Sequence, residues 1–225
     1  MIEYVFVLVG ARACGKGTLA KIVAEHHGEK SFSFSTGVKF RDIAEDPMHE
    51  HHRVVTEQMP AGFYISDKIS IEVFKLAFGS LNGELDSARF LFLDGVVRTS
   101  VQAEEIIPKV RKRFPKAKII TIEIETPRDV CLNRAMARAE EEDRSDDCES
   151  SFVTHWEQYS KHKDSLRSSM AEHCDELKIF PSREMRDKDA VPILRHIGLI
   201  PRKRAWEILR DTAYHENSLE EELYT

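Results

Sequence analysis

The sequence predicts an α/β domain: a five-stranded parallel sheet flanked by helices on both faces. Three observations predict it. Short apolar runs rich in β-branched and aromatic residues alternate with longer stretches of helical periodicity, and that alternation is the signature of parallel strands joined by helical crossovers. A glycine-rich turn, "GARACGKGT" at 10–18, joins the first such strand to the first such helix. The length of 225 residues suits one elaborated domain with one sizeable core, and the chain shows neither an internal repeat nor a long Gly/Ser linker.

In chain order, the run "YVFVLV" at 4–9 is too short for a helix and reads as a buried strand. Residues 16–27 carry helical periodicity, and "SFSF" at 31–34 is a weaker strand. The next helical signal covers 66–78, with a strand at 90–93 after it. A helix over 99–114 contains Pro108, which is expected to kink or divide it because proline lacks the N–H and crowds the preceding turn. A strand at 118–124 leads to a helix over 128–142. Its start follows from "TPRD": Thr126 as cap, Pro127 in the first turn, and Asp129 near the positive end of the dipole. The polar stretch "RAEEEDRSDDCES" at 138–150 reads as an excursion from the core, followed by a helix over 149–173 and a strand at 177–180. A basic helix and an acidic tail occupy 199–225.

Composition excludes several functions. Hydrophobic residues at 41% and charged ones at 32% describe a globular protein, and no apolar run approaches the roughly 20 residues of a membrane-spanning helix. Glu3 and an apolar stretch that stops at Gly10 do not make a signal peptide, so a cytoplasmic protein, expected to be a monomer, is the reading. A net charge of −6 argues against general nucleic-acid binding, so any anion site must be local. Cys14, Cys131, Cys148 and Cys174 form no C-x-x-C pair, which speaks for reduced thiols over a four-thiolate zinc site. "HEHH" at 49–52 reads as a polar helix end or loop.

The glycine turn matches G-x-x-x-x-G-K through Gly10, Gly15 and Lys16. Entered by a strand and left by a helix, it is the setting in which backbone N–H groups converge on phosphate at a helix N-terminus. The glycines allow close backbone approach, and Lys16 can reach the β and γ phosphates. A tight turn with a solvated lysine is the other reading. Cys14, expected beside Lys16 at that helix end, should form thiolate readily and alkylate quickly. Asp94 ends an apolar strand, where a carboxylate either holds Mg²⁺ through water or caps the following turn. Arg134 and Arg138 stand four apart on one helix face and repel each other unless an anion or solvent intervenes.

With G-K-G-T in the loop and three further segments in order, the chain resembles the adenylate kinase family of nucleoside monophosphate kinases, short-lid type. That resemblance spans residues 4 to about 180. The family's loop reads G-x-P-G-x-G-K-G-T; here Arg12 and Ala13 replace its Pro and second Gly. "STGVKFR" at 35–41 is similar to S-T-G-D-x-x-R, with Val38 for the Asp. "FLDGVVRTSVQAE" at 92–104 is similar to D-G-F-P-R-T-x-x-Q-A, with Val97 for the Pro. "RAMARAEEEDRSDD" at 134–147 matches the frame of a short lid, with Asp143 in place of a Gly.

The resemblance implies a P-loop NTPase-type fold with a monophosphate-binding helical insertion at 37–80 and a lid at 138–148. It implies ATP contacts from Gly10, Ala11, Arg12, Ala13, Cys14, Gly15, Lys16, Gly17, Thr18 and Arg134. It implies contacts to AMP from Thr36, Arg41, Gly95, Arg98, Gln102 and Arg144, with Gln102 reading the adenine edge. Transfer would fall to Lys16, Arg98, Arg134, Arg138, Arg144 and His155, and Mg²⁺ to Asp94 through water. His155 stands where short-lid members carry arginine, so it is expected either to act as a titrating cation or to lie on a solvated helix face. "FPSREMRDKDA" at 180–190 lacks the glycine expected beside the donor adenine. A CMP, UMP or deoxynucleotide kinase, or a catalytically impaired nucleotide-binding module, are the alternatives.

Overall fold

A computed structural model of the chain describes residues 1–27, 30–81, 83–142, 147–182 and 193–196. Five parallel strands, β1 (Tyr4–Val9), β2 (Ser31–Ser35), β3 (Phe90–Asp94), β4 (Lys118–Glu125) and β5 (Glu176–Pro181), form one sheet in the order β2-β3-β1-β4-β5. The helices are α1 (Lys16–His27), α2 (Thr36–Glu45), α3 (His52–Gln58), α4 (Asp67–Gly79), α5 (Ser100–Arg113), α6 (Arg128–Glu142) and α7 (Glu149–His173).

Strand alternation divides the core between the two faces of the sheet. Phe6 and Leu8 of β1 pack with Phe92, Ile120, Ile122 and Ile124 on one face, covered by Leu19 and Val23 of α1 and Phe152 of α7. Val5, Val7 and Val9 pack with Leu91, Leu93 and Ile119 on the other, against Ile106 and Ile107 of α5 and Phe74 of α4. The central strands read as continuous apolar runs because both faces are covered.

The helix starts follow local chemistry in part. Ser66 and Thr99 cap α4 and α5, the Thr99 hydroxyl accepting from the Gln102 N–H at 3.2 Å. Thr126 differs from the cap expected of it: its hydroxyl donates to the Cys14 carbonyl at 3.0 Å, tying the start of α6 to the β1–α1 turn. Pro108 does not divide α5, which runs unbroken from Ser100 to Arg113. Pro108 and Glu104 both lie on the exposed face, where the carbonyl that the missing N–H leaves unpaired meets solvent. The histidine run forms the turn into α3, with His51 Nε2 3.5 Å from Glu72.

Helices α2, α3 and α4 lie between β2 and β3 and carry their own small core of Phe40, Ile43, Val55, Ile65 and Val73. Residues 143–146, inside the proposed lid, and the 199–225 tail lie outside the described residues. No helix among the described residues is long and apolar enough to cross a membrane.

Candidate active site

The chain's connections leave the sheet in opposite directions from β1 and β3, which are neighbours. A crevice therefore opens at their carboxyl ends, the position where open α/β sheets bind ligands. Register brings Asp94 opposite Leu8 on one side and Ser35 on the other, so the β1–α1 turn, the β3 end and the start of α2 meet there. The cleft they bound has a volume of about 760 Å³.

Close packing explains the loop's glycine at position 10. A Cβ on Gly10, whose φ is +143°, would stand 2.6 Å from the Ile124 carbonyl oxygen and 2.7 Å from Cys14 Sγ. Ala13 has φ 60°, a left-handed conformation that glycine adopts without strain and alanine does not. Lys16 Nζ donates to the carbonyls of Gly10 and Ala11 at 3.0 and 2.8 Å and lies 3.5 Å from Cys14 Sγ. The lysine thus folds back over its own loop instead of reaching into solvent, and Gly15, Gly17 and Thr18 line the cleft beside it. Cys14 itself is fully buried, which removes the access that rapid alkylation needs.

Asp94 lines the same cleft, its Oδ2 3.9 Å from where a Cβ on Gly17 would stand. Beyond it, Thr36 is buried and donates to the Gly95 carbonyl at 2.6 Å. Arg41 and Arg98 line the cleft. The Arg98 guanidinium stacks 5.2 Å from the Tyr64 ring centroid, with Nη1 3.3 Å from His155 Nε2. Gln102 is placed behind this wall: its Oε1 accepts from the Arg98 N–H at 2.8 Å, and its Nε2 donates to Asp67 at 2.9 Å.

His155 is 5% exposed, with its ring edge-on to Tyr64 at 4.9 Å. Burial, then the charges of Arg98, Arg12, Lys16 and Arg138, hold its pKa well below the ordinary imidazole value, so the ring is neutral. Since guanidinium only donates, Nε2 accepts from Arg98 and the proton resides on Nδ1. The solvated-face reading of His155 gives way to a buried ring. Burial likewise pushes the Tyr64 phenol up.

On the far side, Arg134 and Arg138 of α6 line the cleft. Asp147, buried, accepts from Arg138 Nε and Nη2 at 2.7 and 2.6 Å on one oxygen. Arg12 approaches its other oxygen at 3.5 Å and donates to the Ser151 hydroxyl at 3.4 Å. Arg144 lies outside the described residues. Gly62, between α3 and α4, packs on α7 so closely that a Cβ would stand 2.0 Å from the Ser151 carbonyl oxygen. Gln158 secures that contact, donating to the Gly62 carbonyl and accepting from the Tyr64 N–H, both at 3.0 Å. Sequence reading missed Tyr64, Asp67 and Gln158, none of which stands in a motif.

No family model matches the chain. Curated proteins named adenylate kinase do, among them the following three. The protein of Nocardioides sp. is 30% identical over 148 residues, 64% of this chain and 71% of its own length. That of Hyphomonas neptunium is 32% identical over 154 residues, 68% of this chain and 77% of its own. That of Maricaulis maris is 32% identical over 143 residues, 64% of this chain and 72% of its own. Identity at this level over more than two thirds of each relative accompanies a five-stranded all-parallel sheet and a glycine loop packed at the crevice, and on that ground the chain belongs to the adenylate kinase family.

Proposed function

We propose that the chain is a nucleoside monophosphate kinase that moves the γ-phosphoryl group of ATP to AMP, giving two ADP. The observation that carries this reading is local charge. In a protein of net charge −6, Lys16, Arg41, Arg98, Arg134 and Arg138 line one cleft. Such a concentration of fixed cations suits two phosphate chains brought end to end.

The glycine loop cradles the donor phosphates through its backbone N–H groups, with Lys16 exchanging its loop carbonyls for phosphate oxygens. Arg41 and Arg98 hold the acceptor phosphate. An oxygen of that ionised phosphate supplies the electron pair for the new P–O bond, while the pair of the breaking bond stays on the departing ADP oxygen. No proton moves, so no general base is required. The half-buried Asp94 beside the loop fits Mg²⁺ held through water, an ion that neutralises charge on the donor phosphates. Val38, Phe40, Met59, Phe63 and Ile65 give the insertion side an apolar slot for the acceptor base. Residues 37–80 serve as the acceptor-binding insertion, and 138–148 as the lid that excludes water during transfer.

One observation favours a second acceptor class. Both polar atoms of the Gln102 amide are engaged within the protein, so base reading by Gln102 requires those bonds to exchange. A CMP, UMP or deoxynucleotide acceptor makes no such demand. A coupled assay over a panel of monophosphates separates the two: AMP is expected to give the highest kcat/KM, and equal values for AMP, CMP and UMP would overturn the adenine assignment. Lys16→Met is expected to lower kcat at least about a hundredfold. Retained activity would remove Lys16 from the reaction, and thermal shift with nucleotide separates a binding-only module from an enzyme.

A further inference from the structure

We propose that Glu50, His51 and Glu72 form a binding site for one divalent transition-metal ion of the zinc class, which pins the turn that opens α3 to α4. None of the three lines the cleft, so the site goes beyond the kinase reading and stands without it. The sequence shows only part of this set. The run "HEHH" at 49–52 reads as a polar helix end or loop because no second group at ligand spacing accompanies it. Folding supplies the missing ligand. Val73 of α4 packs with Val55 of α3 in the small core they share, and the neighbouring Glu72 is thereby set against the turn. One donor atom from each of Glu50, His51 and Glu72 then lies within 4.8 Å of the other two.

His51 carries the argument. Its side chain is 14% exposed, and its Nε2 is buried and makes no hydrogen bond to a described residue. A buried ring nitrogen in that state needs a partner of another kind. Glu72 Oε2 stands 3.5 Å from it. Two donors each held about 2.1 Å from a tetrahedral ion stand about 3.4 Å apart, so this pair already has the spacing of co-ligands. The other two histidines of the run are engaged by backbone: His49 Nδ1 accepts from the His51 N–H at 3.1 Å, and His52 Nδ1 donates to the Ile43 carbonyl at 3.2 Å. The His52 N–H donates to the His49 carbonyl at 2.9 Å, so the turn that aims His51 is fixed by its own hydrogen bonds. Charge points the same way. Glu50 and Glu72 bring two carboxylates together, and among the described residues neither pairs with a lysine or an arginine. A dication offsets their repulsion, and an imidazole in the set selects zinc-class ions over magnesium and calcium, which prefer oxygen ligands. Exposed Glu50 completes three protein ligands by rotating inward, and water takes the fourth position.

The test uses the full-length, untagged protein stripped with EDTA, with Zn²⁺ as the calorimetric probe and Co²⁺ as the spectroscopic one. One equivalent of zinc is expected to bind, and cobalt is expected to give visible d–d absorption of four-coordinate intensity. His51→Gln and Glu72→Gln are each expected to weaken zinc at least about tenfold. His52→Gln and Cys148→Ser remove a neighbouring imidazole and an exposed thiol, and each is expected to change zinc affinity by less than about threefold. Hydrogen exchange read by mass spectrometry is expected to slow on zinc binding in peptides covering the 49–52 turn and α4, and to stay unchanged in those covering α1. Melting in EDTA checks that the variants fold; Glu72→Gln, at a side chain 41% exposed, decides the matter if His51→Gln does not fold. Zinc affinity unchanged in Glu72→Gln overturns the proposal, as does affinity lost in Cys148→Ser. So does wild type that binds no stoichiometric zinc, or zinc that leaves exchange in the turn and α4 unaltered.

Discussion

The neutral state of His155 makes stability depend on pH in a way that one substitution isolates. Burial and four neighbouring cations hold its folded pKa below the ordinary imidazole value, so below about pH 6.5 the unfolded chain binds a proton that the folded one refuses. The sign follows: the unfolded state binds more protons, so stability rises with pH. The contribution is complete above the unfolded pKa and is lost as pH falls toward the folded one. For one proton the limiting slope is about 1.4 kcal/mol per pH unit, which bounds the fall between about pH 6 and about pH 5 at roughly 1 kcal/mol. Gln at 155 can still accept from Arg98 but does not titrate. Urea midpoints of wild type and His155→Gln, measured at both pH values, are expected to diverge by about 0.5 M on acidification, the wild type falling further. The same neutral ring gives kcat/KM no His155 ionisation between about pH 6 and 9. Equal acid slopes for the two proteins would show that the folded ring takes up the proton, and would refute the electrostatic account of this side of the cleft.

Three further outcomes follow from the structure. Ala13→Gly removes an alanine held at φ 60°; the relief of about 1–2 kcal/mol exceeds the added unfolded-state entropy, so a net gain of about 1 kcal/mol, or about 2–4 °C in Tm by calorimetry, is expected. Limited alkylation near neutral pH, read by peptide mass spectrometry, is expected to modify the exposed Cys148 ahead of buried Cys14, since hydrogen bonds from Ser150 and Ser151 lower the Cys148 thiol to about 7. Glu123→Gln strips the charge from a fully buried carboxylate that binds Arg167 at 2.5 and 3.0 Å and the Tyr159 hydroxyl at 3.1 Å; chemical denaturation is expected to show a loss of roughly 3 kcal/mol.

What the sequence made legible was local. The run at 4–9 and the periodicity of 16–27 recover β1 and α1 to the residue, because a strand and a helix each impose their period on adjacent positions. The site's phosphate side was legible for the same reason, being one continuous loop. Its acceptor side was not. Asp67 reaches Gln102 across 35 positions, Gln158 reaches the Tyr64 N–H across 94, and Arg12 reaches Ser151 across 139. Contacts at such separations leave no periodic trace in a single chain. Glu123 shows a related failure: alternation in "KIITIEIE" sets Thr121, Glu123 and Glu125 apart from Ile120, Ile122 and Ile124, which suggests a solvated face, yet Arg167 and Lys163 of α7 meet that row of carboxylates.

His155 is the instructive case, because the information to place it was present. Read by residue type, a histidine within a polar helix belongs on a solvated face. Read by period, it stands three residues after Phe152 and four before Tyr159, and the stripe continues through Leu166 and Met170. Those residues are the buried face of α7. A polar side chain locked into an apolar stripe must shed its charge or find a counter-charge. Here the neighbours facing it are cations, Arg98, Arg12, Lys16 and Arg138, so neutrality is the one outcome that period and charge both allow. Positive charge on this side of the cleft is then carried by the cations that face the ring, Arg98 and Lys16 among them.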